Sequence, residues 1–168
     1  MLTNWRPNVK TTELSLSVQY AVPVPELPRW RLRRWVALAL NSAIDEIAQD
    51  DDEAPVGASL TLRLVDADEA RSLNASYRER DYATNVLTFE YGQDPDGILH
   101  GDIVLCLPVL QREAAEQHKT FHDHAAHLVV HGVLHSLGYD HLDNEEAAAM
   151  EALETRILAK LQISDPYA

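Results

Sequence analysis

The sequence predicts a single domain of the α+β or α/β class, with a small mixed β-sheet and helices around one core. Two observations lead to this prediction. Apolar and polar residues alternate in short segments, as in half-buried strands, and apolar residues recur every three to four positions in longer segments, as in amphipathic helices. The chain has 168 residues and a hydrophobic content of 46%, which is enough to bury one core.

The first half of the chain is predicted to alternate between strands and helices. Residues 14–20 and 60–64 alternate in hydrophobicity and are predicted strands. Between them, the apolar residues of segment 30–48 have helical spacing. Asp66 and Glu69 have the spacing of a capping box, which predicts a further helix that runs to about residue 77.

The second half is predicted to contain two strands followed by helices. Segment 86–90 has strand character, and the continuous apolar run 103–107 is typical of a buried strand. Pro108 is expected in the first turn of the next helix. Capping-box patterns at 120–123 and 143–146 predict two further helix starts. The last helix has an apolar stripe formed by Ala147, Met150, Leu153 or Glu154, Ile157 and Leu161.

The charge and the cysteine content exclude some classes of protein. The formal net charge of −13 argues against a non-specific nucleic-acid coat protein, although a nuclease with a local basic groove is compatible with it. The apolar runs are far shorter than the roughly 20 residues of a membrane span, and the start has no apolar signal region. Cys106 is the single cysteine, so an internal disulfide is excluded and a cytoplasmic protein is expected. Residues 1–12 are predicted to form a flexible leader, and residues 13–168 a single domain.

Three histidines form the most informative pattern, within the segment 131–141. His131 and His135 are four residues apart, so on a helix they lie on one face, about 6 Å apart along the axis. Gly138 can end that helix in a left-handed conformation, and the chain can then return His141 as a third ligand. Three nitrogen ligands leave the fourth position of a tetrahedral zinc ion open, as in catalytic zinc sites. The sequence therefore predicts one Zn²⁺ per chain, held by His131, His135 and His141.

The remaining histidines leave alternatives open. His127 forms a second helical pair with His131, but only the pair with His135 directly precedes the glycine turn. His127 is therefore interpreted as a residue that lies behind the ligands or in the core. Three other histidines are expected at the surface: His118, His122 and His124. A closed, structural zinc site is less compatible with the sequence, because the single cysteine falls in a predicted strand.

The same segment differs from peptidase motifs at one position. Its spacing matches the metzincin pattern H-E-x-x-H-x-x-G-x-x-H, except that Gly132 replaces the glutamate. In the peptidases that glutamate is the general base, and glycine cannot accept a proton. The pattern therefore retains the ion site without the peptidase base.

Three segments of the chain together resemble the YbeY-type endoribonucleases, a family also called rRNA maturation factors. The family motif H-G-x-L-H-x-x-G-Y-D-H is matched from His131 to His141. Two upstream motifs are matched by Leu73-Asn74-x-x-Tyr77-Arg78-x-x-Asp81-x-x-Thr84-Asn85-Val86-Leu87-Thr88-Phe89 and by Gly101-Asp102-Ile103-Val104. The resemblance covers about residues 58–162. The chain departs from the family pattern at Ala83, where proline is usual, at Ser136, where an apolar residue is common, and at His100.

This resemblance implies an α+β fold with about five helices around a small mixed four-stranded sheet, and a metzincin-like three-histidine zinc site at the end of a cleft. It implies a zinc-dependent endoribonuclease that cleaves single-stranded RNA and acts in 16S rRNA 3′-end maturation and ribosome quality control. The implied partners are ribosomal RNA and ribosomal small-subunit proteins, whereas neither a membrane nor DNA is expected.

The candidate catalytic residues are the three zinc ligands and Arg78. A guanidinium matches two phosphate oxygens, so Arg78 is the candidate phosphate clamp. Asp140 is a candidate to orient a ligand imidazole, and Asn85 and Asp102 are candidates to line the cleft, although turn and strand-end roles fit all three equally well. The sequence does not identify a general base.

Two other functions are also compatible with the sequence. One is a ribosome-assembly factor with a mainly structural zinc ion, which the acidic charge favours because it weakens RNA binding. The other is a metallopeptidase, which Gly132 disfavours.

Overall fold

Four strands and five helices occupy the part of the chain that the structure, a computed structural model, describes: residues 12–80, 82–140 and 142–168. The strands are β1 (Glu13–Tyr20), β2 (Gly57–Val65), β3 (Val86–Gln93) and β4 (Ile98–Cys106). The helices are α1 (Arg29–Asp50), α2 (Ala67–Arg78), α3 (Leu107–Glu116), α4 (Phe121–Ser136) and α5 (Asn144–Lys160). The predicted leader, residues 1–12, lies outside the described residues except for Thr12.

The strands form one mixed sheet in the order β1-β2-β4-β3. Strands β1, β2 and β4 are parallel, and their register pairs Leu14 with Ala58 and Gly57 with Ile98. Strand β3 is antiparallel to β4, and their hairpin pairs Gln93 with Leu99. The predicted α+β fold with a mixed four-stranded sheet and about five helices is confirmed.

Helices cover both faces of this sheet. Successive side chains of a strand point to opposite faces. Along β4, Ile103 and Leu105 belong to a large buried cluster, whereas Val104 and Cys106 belong to a small one. The large cluster lies beneath α1 and α4, with α5 packed on both helices, and the small cluster lies beneath α2 and α3. Helix α4 is therefore enclosed between the sheet and the other helices.

The predicted helix starts are confirmed. Thr120 accepts a hydrogen bond from the backbone N–H of Asp123 at 3.1 Å, and Asp143 accepts one from Glu146 at 2.7 Å. Asp66 likewise accepts a hydrogen bond from the N–H of Glu69 at 2.9 Å. These bonds satisfy backbone donors that the first helical turn leaves unpaired.

Two details differ from the sequence prediction. The Glu69 side chain pairs with Arg63 of β2 at 2.5 Å and 2.7 Å, so only half of that capping box forms. Leu107 begins α3 instead of ending β4, because Pro108 lies in the first turn with a fixed φ that suits a helix. Across the described ranges, none of the helices combines the length and hydropathy that a bilayer crossing requires.

Candidate metal centre

Helix α4 presents a row of histidines along one side. It begins at the Thr120 cap and buries its apolar face against the sheet, which leaves His127, His131 and His135 only partly buried. The rings of His131 and His135 meet edge to face, with centroids 4.5 Å apart and planes at 75°. Rings this close on one face of a helix are compatible with two imidazole ligands of one zinc ion, whose Zn–N bonds are about 2.0–2.1 Å long.

A buried carboxylate from α5 lies behind this row. Glu154 is fully buried, and its Oε1 lies 2.5 Å from Nδ1 of His131. Its Oε2 lies 3.0 Å from Nε2 of His127 and also accepts a hydrogen bond from the Tyr167 hydroxyl. Burial alone would raise the pKa of the Glu154 carboxyl, but the hydrogen bonds from His127 and His131 outweigh it and lower that pKa below its usual range. Glu154 is therefore an ionised acceptor among three donors.

The same residues form a cluster that could hold a metal ion. The ligand atoms of His127, His131 and Glu154 all lie within 4.8 Å of one another. Imidazole nitrogen and carboxylate oxygen are both zinc ligands, so the donor set fits that ion. The described residues thus offer two overlapping ligand sets, which share His131.

The third predicted ligand, His141, lies outside the described residues. The turn that precedes it has the expected form, because Gly138 adopts a positive φ of 96° after the end of α4. The N–H of Tyr139 bonds to the carbonyl of Leu134 at 3.1 Å, which closes the last turn of the helix. Helix α4 therefore ends just before the glycine at which the sequence predicts a helix end.

Two of the remaining histidines have environments that the sequence did not specify. The predicted surface position of His124 is wrong: this residue is only 3% exposed, and its Nε2 lies 3.0 Å from Glu113. His124 lies on the side of α4 that faces α3, so the periodicity of the helix directs its side chain into the interface between the two helices. His127 shares the Glu154 carboxylate with His131, since its Nε2 lies 3.0 Å from Oε2.

Gly132 faces the sheet. A Cβ at this position would lie 2.8 Å from Cγ2 of Ile103 on β4. Ser136, one turn later, is buried and donates a hydrogen bond to the Gly132 carbonyl at 2.9 Å, which explains how a polar residue is accommodated there. A side chain at position 132 would therefore meet the core, and Gly132 provides the close approach of α4 to β4.

Arg78 is the last residue of α2 and is exposed. Its Nη2 lies 3.4 Å from the Thr88 carbonyl of β3, which is long for a hydrogen bond. Burial and the charge of Asp140 raise the pKa of the Glu90 carboxyl, whereas Arg78 lowers it. Glu90 therefore lies near both Arg78 and Asp140.

Two cavities lie beside this region. One of about 420 Å³ is bounded by Asn85, Glu113, His124, His127 and His131, and it includes Tyr167 from the segment after α5. Asn85 is thus placed beside His131, whereas Asp102 accepts a hydrogen bond from Tyr91 at 2.8 Å. A larger cavity of about 1050 Å³ lies between α1 and α5 and reaches Tyr139. The smaller cavity is the one in contact with the histidine row.

Glu154 is the residue of this site that sequence reasoning missed. It occupies a position on the buried stripe of α5, together with Met150, Leu153, Ile157 and Leu158. A charged residue in such a stripe is a signal, because an ionised side chain is seldom buried without a partner. The sequence could not name that partner, since His131 is 23 positions away on another helix.

Comparison with known proteins agrees with the motifs. A sequence model of the family described as Endoribonuclease YbeY matches residues 25–162. A protein of that name from Bordetella pertussis is 63% identical over 156 residues, which cover 93% of this chain and 97% of that protein. Another from Thiobacillus denitrificans is 48% identical over 156 residues, which cover 92% and 97%.

The fold has a counterpart among solved structures. The solution structure of a Thermotoga maritima protein aligns with a TM-score of 0.53 and 22% sequence identity, over 89% of this chain and 92% of that one. This likeness concerns the fold alone. The family model and the relatives extend over most of the sequence, and the chain belongs to the YbeY endoribonuclease family.

Proposed function

We propose that this protein is a zinc-dependent endoribonuclease that cleaves single-stranded RNA, with one Zn²⁺ held by His131, His135 and His141. Membership of the family supports RNA cleavage. The edge contact between the rings of His131 and His135 is the observation that carries the metal assignment, because it pairs two ligands on one helical face.

The hydrogen bonds of Glu154 favour this ligand set over the buried cluster. Both carboxylate oxygens are already used, Oε1 by His131 and Oε2 by His127 and Tyr167. Because the ionised carboxylate is an acceptor only, the proton of His131 lies on Nδ1, and Nε2 is the nitrogen that would bind the metal. An ion between Glu154 and the two histidines would have to displace these bonds.

In this proposal the zinc ion and Arg78 have separate roles in phosphodiester hydrolysis. A bound zinc ion supplies Lewis acidity toward a phosphate oxygen and activates water as a nucleophile. Arg78 offers a planar guanidinium to two further phosphate oxygens and stabilises the negative charge that develops there. Gly132 provides no carboxylate, so peptide hydrolysis by the zincin route is disfavoured.

We place the activity in 16S rRNA 3′-end maturation and ribosome quality control in the cytoplasm, with ribosomal small-subunit proteins as partners and no role for DNA. The family resemblance supports this role. One clamp arginine and one ion offer few groups for reading base edges, which sequence recognition requires. Selection then depends on exposed single strands and on the particle that presents them.

A structural metal in a ribosome-assembly factor is the second candidate, and the cluster of His127, His131 and Glu154 favours it. Glu154 is fully buried there, so an ion bound to it would have little room for substrate. In that case zinc would support the packing of α5 on α4, and RNA cleavage would be weak.

Zinc analysis of single variants separates the two ligand sets. His131→Ala, His135→Ala and His141→Ala should each lose most of about one zinc ion per chain, whereas His127→Ala should keep it. Elemental analysis and cleavage of a single-stranded RNA are measured on the same preparation. Full zinc occupancy in His135→Ala, or loss of zinc in His127→Ala together with retention in His135→Ala, would move the ion to the buried cluster.

The role of Arg78 has its own test. Arg78→Ala should keep the fold and the zinc and lose cleavage by a factor of about 10² to 10³, because a clamp acts on the transition state rather than on the metal. Arg78→Lys keeps the charge without the planar fork and should recover only part of the rate. Unchanged cleavage by a folded, zinc-loaded Arg78→Ala protein would exclude the assignment.

A further inference from the structure

We propose that Glu154 is a positioning residue for the metal ligand His131, and that Tyr167 in turn holds Glu154. This inference rests on the proposed zinc ligands. Glu154 would fix the tautomer and the ring orientation of His131 from behind, so that Nε2 is directed toward the ion. The argument depends on burial, on hydrogen-bond chemistry and on the place of Glu154 in α5.

Burial makes Glu154 unusual. Its exposed fraction is 0%, and its neighbours along α5 are the apolar Leu153 and Leu158. An ionised carboxylate withdrawn from water costs several kcal/mol unless donors surround it. A leucine at this position would pack without that cost, so packing alone does not explain a glutamate.

The donors around Glu154 are directional. Nδ1 of His131 lies 2.5 Å from Oε1, and a carboxylate oxygen can only accept, so this nitrogen carries the ring proton. The other nitrogen of a neutral imidazole then has a lone pair. A carboxylate that holds the far nitrogen of a ligand histidine is the arrangement that orients ligands and raises their basicity in metal sites.

The segment after α5 completes the arrangement. The Tyr167 hydroxyl donates to Oε2 of Glu154, and the ring of Tyr167 meets that of His127 at a centroid distance of 5.4 Å. Lys119 donates to the Pro166 carbonyl at 3.2 Å and ties the segment to the start of α4. Residues far apart in sequence thus converge on one carboxylate.

A second histidine of α4 also pairs with a carboxylate of a neighbouring helix, and this pair provides the matched control. Glu113 lies 3.0 Å from Nε2 of His124, which is almost fully buried. His124 is not a proposed ligand. Glu113→Gln, on α3, therefore removes the same kind of charge from a histidine of α4 without touching the ring of His131.

The test measures zinc affinity by competition with a chelator. Glu154→Gln preserves shape and should weaken zinc binding by about 10- to 100-fold, because the His131 ring loses its charged acceptor. Tyr167→Phe should weaken it less, and Glu113→Gln should leave it unchanged. Circular dichroism and thermal unfolding of the metal-free variants establish that each one is folded.

A second readout can be taken on the parent protein itself. In the zinc-loaded parent protein, long-range ¹H–¹⁵N NMR should show His131 protonated at Nδ1 and bound through Nε2. In Glu154→Gln the preference for that tautomer should weaken. Binding of His131 through Nδ1 in the parent would overturn the proposal.

The remaining outcomes separate this proposal from the proposed function. Zinc loss in His135→Ala together with parental affinity in Glu154→Gln would refute the positioning role and leave the three-histidine site intact. Complete zinc loss in a folded Glu154→Gln protein, together with coordination of His131 through Nδ1 in the parent, would make Glu154 a ligand and would overturn the proposal as well.

Discussion

At Gly132, helix α4 lies so close to the sheet that a methyl group would meet Cγ2 of Ile103 at 2.8 Å. That carbon branches directly from Cβ of a residue on β4, in the interior of the sheet order, so it cannot swing away as the end of a long side chain would. Packing thus restricts position 132, which follows the proposed ligand His131, and a side chain there would point toward the sheet.

Gly132→Ala should destabilise the protein by up to about 2 kcal/mol. The gain in helix propensity is about 1 kcal/mol, whereas overpacking of a core costs about 1–3 kcal/mol. Urea unfolding measures the difference. In an Ile103→Leu background, where the β-branch is absent, the penalty should shrink. A Gly132→Ala protein as stable as the parent in both backgrounds would show that the close approach is not limiting.

Helix α2 is the element that carries Arg78, and polar contacts fix both of its ends. At its start, Arg63 and Glu69 form a two-bond ion pair, and Asp66 caps the first turn. At its end, the buried Asn74 donates to the Tyr82 carbonyl at 2.9 Å and holds the loop that follows. The position of Arg78, the proposed phosphate clamp, is therefore set by contacts outside the proposed metal centre.

Glu69→Gln should lose up to about 1 kcal/mol of stability at neutral pH, since the pair is one-third exposed and partly screened. The hydrogen bond from Arg63 lowers the pKa of the Glu69 carboxyl. Its contribution is therefore complete above the unfolded value of about 4.3 and disappears as the pH falls through the folded value. Urea unfolding of parent and variant at several pH values should converge in acid.

The exposed pair of Arg112 and Glu116, 3.8 Å apart, supplies the comparison for this measurement. Glu116→Gln should change stability little at any pH, because two exposed side chains in water gain little from pairing. A Glu69→Gln difference that persists undiminished in strong acid would assign the effect to packing instead of charge.

The elements differ in how far the sequence could specify the site. The capping pattern at Thr120 predicted the start of α4, and the four-residue spacing predicted that His131 and His135 share one face. The same period in α5 left Leu153 and Glu154 as alternatives, and both are buried. Periodicity identifies which face of a helix is buried, but not which residue of another helix contacts that face. The link from Glu154 to His131 therefore required the tertiary structure.

On the scale of the whole molecule, net charge limits how RNA is bound. The chain carries −13 overall, so long phosphate tracks are repelled outside a local basic region. Some arginines are also engaged in the fold. Arg31 donates to the Glu26 carbonyl at 2.7 Å and Arg33 to the Leu14 carbonyl at 3.1 Å, which joins α1 to β1 and the segment between them.

We expect weak, permissive cleavage of free single-stranded RNA, little cleavage of duplexes and sharper cutting on ribosomal particles. The physical reason is that an acidic surface attracts RNA poorly, so contacts with ribosomal proteins must supply the binding free energy that charge attraction does not. Mapping rRNA ends in a depleted strain, with parent and His135→Ala proteins tested for rescue, checks this in the cell. Normal ends in the depleted strain, or full rescue by His135→Ala, would contradict the proposed role.

The order of the strands has a consequence for how the protein folds. Gln93 pairs with its near neighbour Leu99, whereas Leu14 pairs with Ala58 and Gly57 with Ile98. Short loops close at a smaller entropic cost, so the β3–β4 hairpin should form ahead of the parallel pairs. Helix α4 packs on that hairpin. His131 and His135 can therefore come together early in folding, before the slower pairing of β1 and β2 completes the sheet.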